Sequence, residues 1–294
     1  MNQERIQWLD RYKKVKSNNQ AQILLNSFDN YLSHFSINED EFIKKLQNAP
    51  GKSKYNYLDD IVQFWAKDKA PATVRNYFIF LRSYLRRYNI ETSDEDVKDY
   101  VKFQKIIKER REALTKEIIT HLLEVSNKKY QALLLLLMVS GMRINEALNC
   151  KISWLDTRYL ANHDLVLINI PAIYTKTQVD RFTFITRPVY EKIKPYTENQ
   201  INDNKIFQIS YDSAKEYMRI IRKRIDYTLK YNTGFSKITL HTFRSYTRTI
   251  LSDNCGMEFA YFILGEDYYL PVYYRKTPEQ AAQLYKKALP DLTL

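Results

Sequence analysis

The stretch "ALLLLLMV", residues 132–139, constrains the fold more than any other. A helix apolar all round must be covered by other elements on every side. A bilayer span needs about 20 such residues, so this run predicts instead a helix buried in a protein core, over 130–149.

The segments around it differ in period. Upstream, "AQILLNSFDNYLSHF" and "YLDDIVQFWA" repeat apolar residues at three and four, and the first hundred residues read as helical throughout. Downstream, "KISWLD", "DLVLINIPA" and "RFTFIT" read as short strands, with "IYTKTQVD" as the turn joining the last two. Helical spacing returns in "RPVYEKIKPY", "YDSAKEYMRIIRKRIDYTLKY", "LHTFRSYTRTILSDN" and "MEFAYFIL". The expected class is therefore mainly α with a small antiparallel β-sheet (α+β). A chain of 294 residues suits one large domain or two ordinary ones. The change of character at the charged "KERRE" divides it into a helical domain over 1–110 and a second domain over 111–294. Past that point "LTKEIITHLLE" restarts a helix, with Thr115 as N-cap and Glu117 in the first turn.

Composition excludes several function classes. Five glycines, none at the offsets of a Rossmann or Walker loop, argue against nucleotide cofactors, and no metal-ligand cluster is spaced along the chain. Cys150 and Cys255 are too few for a disulfide framework or a zinc ribbon, which suits a reducing compartment. The opening "MNQERIQWLDRYKK" lacks an apolar signal core, so a cytoplasmic protein with no membrane partner is expected. The net charge of +12 favours a polyanionic partner, nucleic acid being the commonest, although a Lys- and Asn-rich proteome produces the same excess.

Five stretches carry candidate chemistry. In "KAPATVRNYFIFLRSYLRRYNIE", Pro71 and Thr73 suit a helix start, and Val74, Tyr77, Phe78, Leu81, Tyr84 and Leu85 form one apolar stripe. Arg75, Arg82, Arg86 and Arg87 fall largely off it, as a solvated face or, with Tyr88, as a phosphate-contacting surface. In "SGMRINEAL", Arg143 and Glu146 lie three apart on one helix face, as a structural ion pair or as a held guanidinium. In "LHTFRSYTRT", His241 and Arg244 share a face; arginine offers bidentate donors to phosphate oxygens and histidine moves protons near pH 7. Lys176 sits at the tip of the "YTKTQVDR" hairpin, facing solvent or a ligand. Close to the end, "PVYYRK" sets Tyr273 and Tyr274 before two cations. A phenol of pKa near 10 attacks at neutral pH only with help from cations or a base.

The order of these features resembles the tyrosine recombinase (lambda-type integrase) family, including Xer-type and archaeal viral or mobile-element integrases. The resemblance runs from "APATVRNYFIFLRSYLRR" and "REALTKEIITHLL" through Gly-x-Arg-x-x-Glu-x-Leu, the lysine turn, His-x-x-Arg and "ILG" to the terminal tyrosine. It implies a core-binding (SAM-like) DNA-binding domain over 1–110 and a catalytic domain over 111–294 with a C-terminal tail helix. Arg143, Lys176, His241, Arg244 and the nucleophile Tyr274 are then the catalytic residues, with Tyr273 as the other choice and Glu146 in support. Arg75, Arg82, Arg86 and Arg87 contact DNA. No cofactor or metal is implied; the partners are double-stranded recombination sites and three further copies of the chain in a tetramer. The tail "PEQAAQLYKKALPDL" is expected to dock on a neighbouring subunit or on its own core. The chain departs from the family where Leu264 and Gly265 are followed by Glu266 in place of histidine or tryptophan. A carboxylate there repels phosphate, so it either turns away, toward Arg275 or Lys276, or a neighbour replaces the missing donor. Two alternatives share these features: a type IB topoisomerase-like enzyme acting as a monomer, and a DNA-binding protein with a decayed site.

Overall fold

The computed structural model describes residues 3–13, 18–107, 109–197, 204–232, 234–266 and 274–294. Their contacts divide the chain into two units, Met1–Lys108 and Glu109–Leu294. Among its described residues the first holds the α-helices α1 (Gln3–Lys13), α2 (Asn18–His34), α3 (Glu39–Gln47), α4 (Lys54–Ala66), α5 (Pro71–Leu85) and α6 (Asp94–Tyr100). Its core is aromatic, with Trp8 edge-on to Tyr84 at 5.3 Å and Phe28 edge-on to Phe42 at 5.5 Å, a geometry that sets ring edges against the negative faces of neighbours. Helix α5 starts from an extended Ala70 with Pro71 in its first turn. That position suits proline, since its missing N–H would have no helical partner there. Val74, Phe78, Leu81, Tyr84 and Leu85 of the apolar stripe are buried.

The second unit opens with α7 (Lys116–Glu124), where the Thr115 hydroxyl accepts from the Ile118 N–H. Helix α8 (Lys128–Ser140) carries the apolar run, and Leu133, Leu136 and Leu137 are wholly buried. The helix expected to run on to residue 149 is interrupted. Gly141 adopts φ 62°, and a Cβ there would lie 2.4 Å from Leu264 Cδ2. The left-handed turn ends α8 by the glycine C-terminal rule, and the chain starts again as the short α9 (Ile144–Leu148).

Three strands follow in the order β1 (Leu155–Asp156), β2 (Leu165–Ile170) and β3 (Arg181–Thr186), all antiparallel, with α10 (Tyr159–His163) between the first two. The "KISWLD" strand is shorter than expected, because Ile152–Trp154 forms a 3-10 turn. The register pairs Leu167 with Phe184 and Ile170 with Arg181. Helices α11 (Arg187–Ile193), α12 (Tyr211–Arg224), α13 (Leu240–Cys255), α14 (Met257–Leu264) and α15 (Pro278–Leu292) complete the unit. The tail helix α15 docks on its own core. Ala281, Ala282, Tyr285 and Ala288 are fully buried, and the Tyr285 hydroxyl donates to the Val139 carbonyl of α8. No helix among the described residues is long and apolar enough to cross a membrane.

Candidate active site

The break at Gly141 gives Arg143 its place. It becomes the N-cap of α9, with extended backbone, and Glu146 one turn later accepts from its N–H (2.7 Å) and from its Nη1 (3.1 Å). Glu146 is buried, and a buried carboxylate needs more than one donor. Arg181, only 5% exposed at the head of β3, supplies it: Nη2 donates to Glu146 Oε2 at 2.5 Å and Nη1 to the Ile263 carbonyl at 2.7 Å. Burial alone would raise the Glu146 carboxyl, but the charges of Arg181 and Arg143 hold it below its usual value. Burial also lowers Arg181, against the pull of Glu146.

Arg244 comes from α13, three residues after His241, and is 3% exposed. Its Nη1 donates to the Gly141 carbonyl (2.7 Å), and its Nη2 to the Leu264 carbonyl (2.7 Å) and to Glu266 Oε1 (3.1 Å). Arg143 Nη2 reaches the next carbonyl, that of Gly265, at 3.5 Å. The two arginines therefore meet at the C-terminal end of α14, where unpaired carbonyls and the helix dipole favour cations. Gly265 itself has φ 58°, and a Cβ there would lie 2.4 Å from Arg181 Cδ. Burial, with repulsion from Arg143 and Arg181, pushes the Arg244 guanidinium down to about 10, so it remains charged at neutral pH. His241 is pushed below the usual histidine value by loss of hydration, then by Arg244 and Arg111. Its imidazole is thus neutral and free to accept a proton at pH 7. Glu266 turns toward Arg244 and Arg248, whose Nε lies 3.5 Å from its Oε2. Four guanidiniums, of Arg143, Arg181, Arg244 and Arg248, face two carboxylates, of Glu146 and Glu266. The excess positive charge suits a phosphodiester.

Tyr274 lines a cavity of about 320 Å³ whose other walls include Arg181, Phe182, Tyr261, Phe262, Gly265 and Glu266. Its ring lies edge-on to Phe262 at 5.6 Å, and Lys276 Nζ sits 5.0 Å from the ring centre. Loss of hydration, then the charges of Glu258 and Cys255, raise its pKa. Tyr273 lies outside the described residues. Lys176 is exposed in the turn between β2 and β3, next to Thr177 of the cavity wall. Among the described residues no hydrogen bond or ion pair joins it to the arginines. The turn is no tight hairpin: Ala172–Tyr174 forms a 3-10 turn, and Thr175 Oγ1 donates to the Ala172 carbonyl. Arg143, Glu146, His241 and Arg244 thus converge, Tyr274 shares a cavity with Arg181 and Glu266, and Lys176 is exposed next in sequence to Thr177 of that cavity's wall.

The arginines near α5 divide in two. Arg82 is committed internally, through Nε to Thr92 Oγ1 (2.7 Å), Nη2 to the Thr92 carbonyl (2.6 Å) and Nη1 to Asp94 (2.6 Å). Arg87 bonds Glu4 (2.9 Å) and Gln7 (2.5 Å) of α1. These bonds fix the loop after α5 and the packing of α1, which runs against the expectation that all four arginines face a phosphate backbone. Arg75, lying over the Phe103 ring at 4.9 Å, and Arg86 are exposed.

Sequence reasoning passed over Arg181 and Arg248. For Arg181 the signal was a charge heading an otherwise apolar strand, "RFTFIT"; for Arg248 it was the repeat of arginine four residues after Arg244, one helical turn on.

The model of the phage integrase family matches residues 112–258, half of the chain. No curated protein matches the chain. Among solved structures, XerH site-specific recombinase bound to its difH substrate in a pre-cleavage complex has 17% identity and a TM-score of 0.59, over 92% of this chain and 76% of that one. Lambda integrase residues 75–356, a dimer bound to a COC′ core site, has 15% identity and a TM-score of 0.61, over 92% and 97%. A lambda integrase tetramer bound to a Holliday junction has 15% identity and a TM-score of 0.58, over 92% and 79%. At these identities the likeness is one of fold.

Proposed function

The chain belongs to the phage integrase family of tyrosine recombinases, and from that premise we propose that it cleaves and rejoins DNA at specific sites through a 3′-phosphotyrosyl intermediate. The observation that carries the reading is the meeting of Arg143 and Arg244, from distant segments, on the adjacent carbonyls of Gly265 and Leu264. A phosphodiester repels nucleophiles by its own charge, and preorganised guanidiniums offset that charge as it builds up in the transition state. Arg143 and Arg244 are assigned to the non-bridging oxygens, with Glu146 holding Arg143 in place.

Tyr274 is assigned as the nucleophile. Its hydroxyl oxygen forms a bond to phosphorus, and the bond to the 5′ oxygen breaks. His241, neutral at pH 7, takes the phenolic proton, and Lys176 gives one to the departing 5′ oxygen. Loss of hydration raises the Tyr274 pKa, so its attack is assigned help from a base and from cations. The phosphotyrosyl ester keeps the bond energy, so the reverse attack by a 5′ hydroxyl reseals the strand. The unit over 1–108 is assigned to DNA binding and that over 109–294 to catalysis. A homotetramer on two double-stranded sites is proposed from the likeness to the lambda integrase tetramer on a Holliday junction. The working place is the DNA of the cytoplasm.

The test is a nicked suicide substrate whose cleaved end diffuses away. The wild-type chain should form a covalent complex that survives denaturing electrophoresis, and Tyr274→Phe should abolish it. Continued linkage in Tyr274→Phe, with loss in Tyr273→Phe, transfers the nucleophile to Tyr273. A wild-type chain that never links to DNA overturns the reading.

A further inference from the structure

We infer that Arg248 is a further catalytic residue of this site, delivering a guanidinium to the scissile phosphodiester. The inference rests on the recombinase reading and deepens it. Arg244 is nearly sealed from solvent, with Nη1 on Gly141 and Nη2 shared between Leu264 and Glu266. Arg143 commits Nη1 to Glu146, and Arg181 is sealed against Glu146 and Ile263. These bonds build the site but leave few donors free at its surface.

Arg248 is different. It stands one helical turn beyond Arg244, with 44% of its side chain exposed. Two residues brace it. Nη2 donates to the Tyr261 hydroxyl at 2.7 Å, with the guanidinium 4.8 Å from the Tyr261 ring centre, and Nε faces Glu266 Oε2 at 3.5 Å. Tyr261 and Glu266 both belong to the cavity wall that also carries Tyr274. The guanidinium is therefore held by two residues that also wall the cavity containing the nucleophile.

The arrangement also accounts for a carboxylate at this position. One oxygen of Glu266 touches buried Arg244 and the other faces exposed Arg248. Glu266 alone would repel a phosphate, whereas a carboxylate bridging two guanidiniums orients them and leaves the group positive. A planar guanidinium held on an aromatic face loses little further freedom when it closes a bidentate contact.

The experiment measures single-turnover covalent-complex formation by the full-length chain, wild type and Arg248→Gln, on two nicked substrates. One carries the ordinary phosphodiester at the scissile position; the other carries a methylphosphonate, which replaces a charged non-bridging oxygen with a methyl group. Loss of one charge-assisted contact should slow Arg248→Gln on the phosphodiester by about 10- to 100-fold. On the methylphosphonate, where there is less charge to offset, Arg248→Gln should react within about 3-fold of wild type. A normal rate on the phosphodiester overturns the inference. So does an equal loss on both substrates, since a purely structural or general DNA-affinity role of Arg248 does not depend on the charge of one link. Wild-type chain that forms no covalent product on the phosphodiester overturns the recombinase reading and this inference with it.

Discussion

His241 keeps its proton less readily than a free histidine because loss of hydration and the charges of Arg244 and Arg111 disfavour the imidazolium. The sign of this shift fixes the direction of a pH dependence. A general base works only when unprotonated, so its working form is full above its pKa, which here lies below the ordinary value of about 6.5. The rate of covalent-complex formation should hold from neutrality to a more acid pH than a free imidazole would allow, then fall by up to about tenfold per unit as the imidazole charges. A rapid-quench rate profile from acid to neutral pH measures this directly, and His241→Gln should be slow and lack the acid limb. An acid limb that survives in His241→Gln would assign that titration to another group. The neighbouring carboxylate of Glu146, held low by Arg181 and Arg143, stays ionised throughout that range and adds no limb.

Local spacing carries the elements well where one period governs them. "RFTFIT", "MEFAYFIL" and "PEQAAQLYKKALPDL" occupy β3, α14 and α15 to the residue, because each is bounded by turn or breaker residues. The interrupted helix was not legible, since an apolar stretch says nothing of the backbone angle at the glycine inside it. The cause is tertiary: Leu264 packs where the Gly141 Cβ would be. The same limit explains Arg181, whose partner Glu146 lies 35 residues away and is brought to it by the sheet. Arg143, Glu146, His241 and Arg244 were legible because each pair repeats at helical spacing. The interruption predicts that Gly141→Ala is severe. An L-residue in the left-handed region costs about 1–2 kcal/mol, and forcing a methyl into packed core costs about 1–3 kcal/mol more. A loss of about 2–5 kcal/mol, read from the urea midpoint at unchanged slope, should accompany weaker catalysis through displaced Arg143. Ser140→Ala, which removes the hydroxyl's bond to the Leu136 carbonyl and the acceptor of the buried Met142 N–H, should cost about 1–3 kcal/mol.

At the scale of the whole chain, a net charge of +12 predicts binding to DNA that weakens steeply with salt. Each phosphate neutralised contributes about −0.9 to the slope of log K against log salt on B-form DNA, so the slope counts contacts rather than strength. That count separates the arginines of the first unit, which the sequence could not do. Arg82 already holds Thr92 and Asp94 with all three guanidinium nitrogens, so it cannot reach a phosphate without breaking an internal bond, whereas Arg87 is held to Glu4 and Gln7 through Nε and Nη2. Arg75 of α5 and Arg86 just past its end are exposed, as is Ile79 of α5. Arg75→Ala and Arg86→Ala should each flatten the slope by about 1 while leaving stability within about 0.5 kcal/mol of wild type. Arg82→Ala should do the reverse, lowering stability and leaving the slope of the folded fraction unchanged. Binding isotherms at four or more salt concentrations, paired with urea unfolding of the same variants, distinguish the two patterns. A flattened slope in Arg82→Ala would mean that this arginine exchanges Asp94 for DNA on binding, and that the loop after α5 rearranges with it.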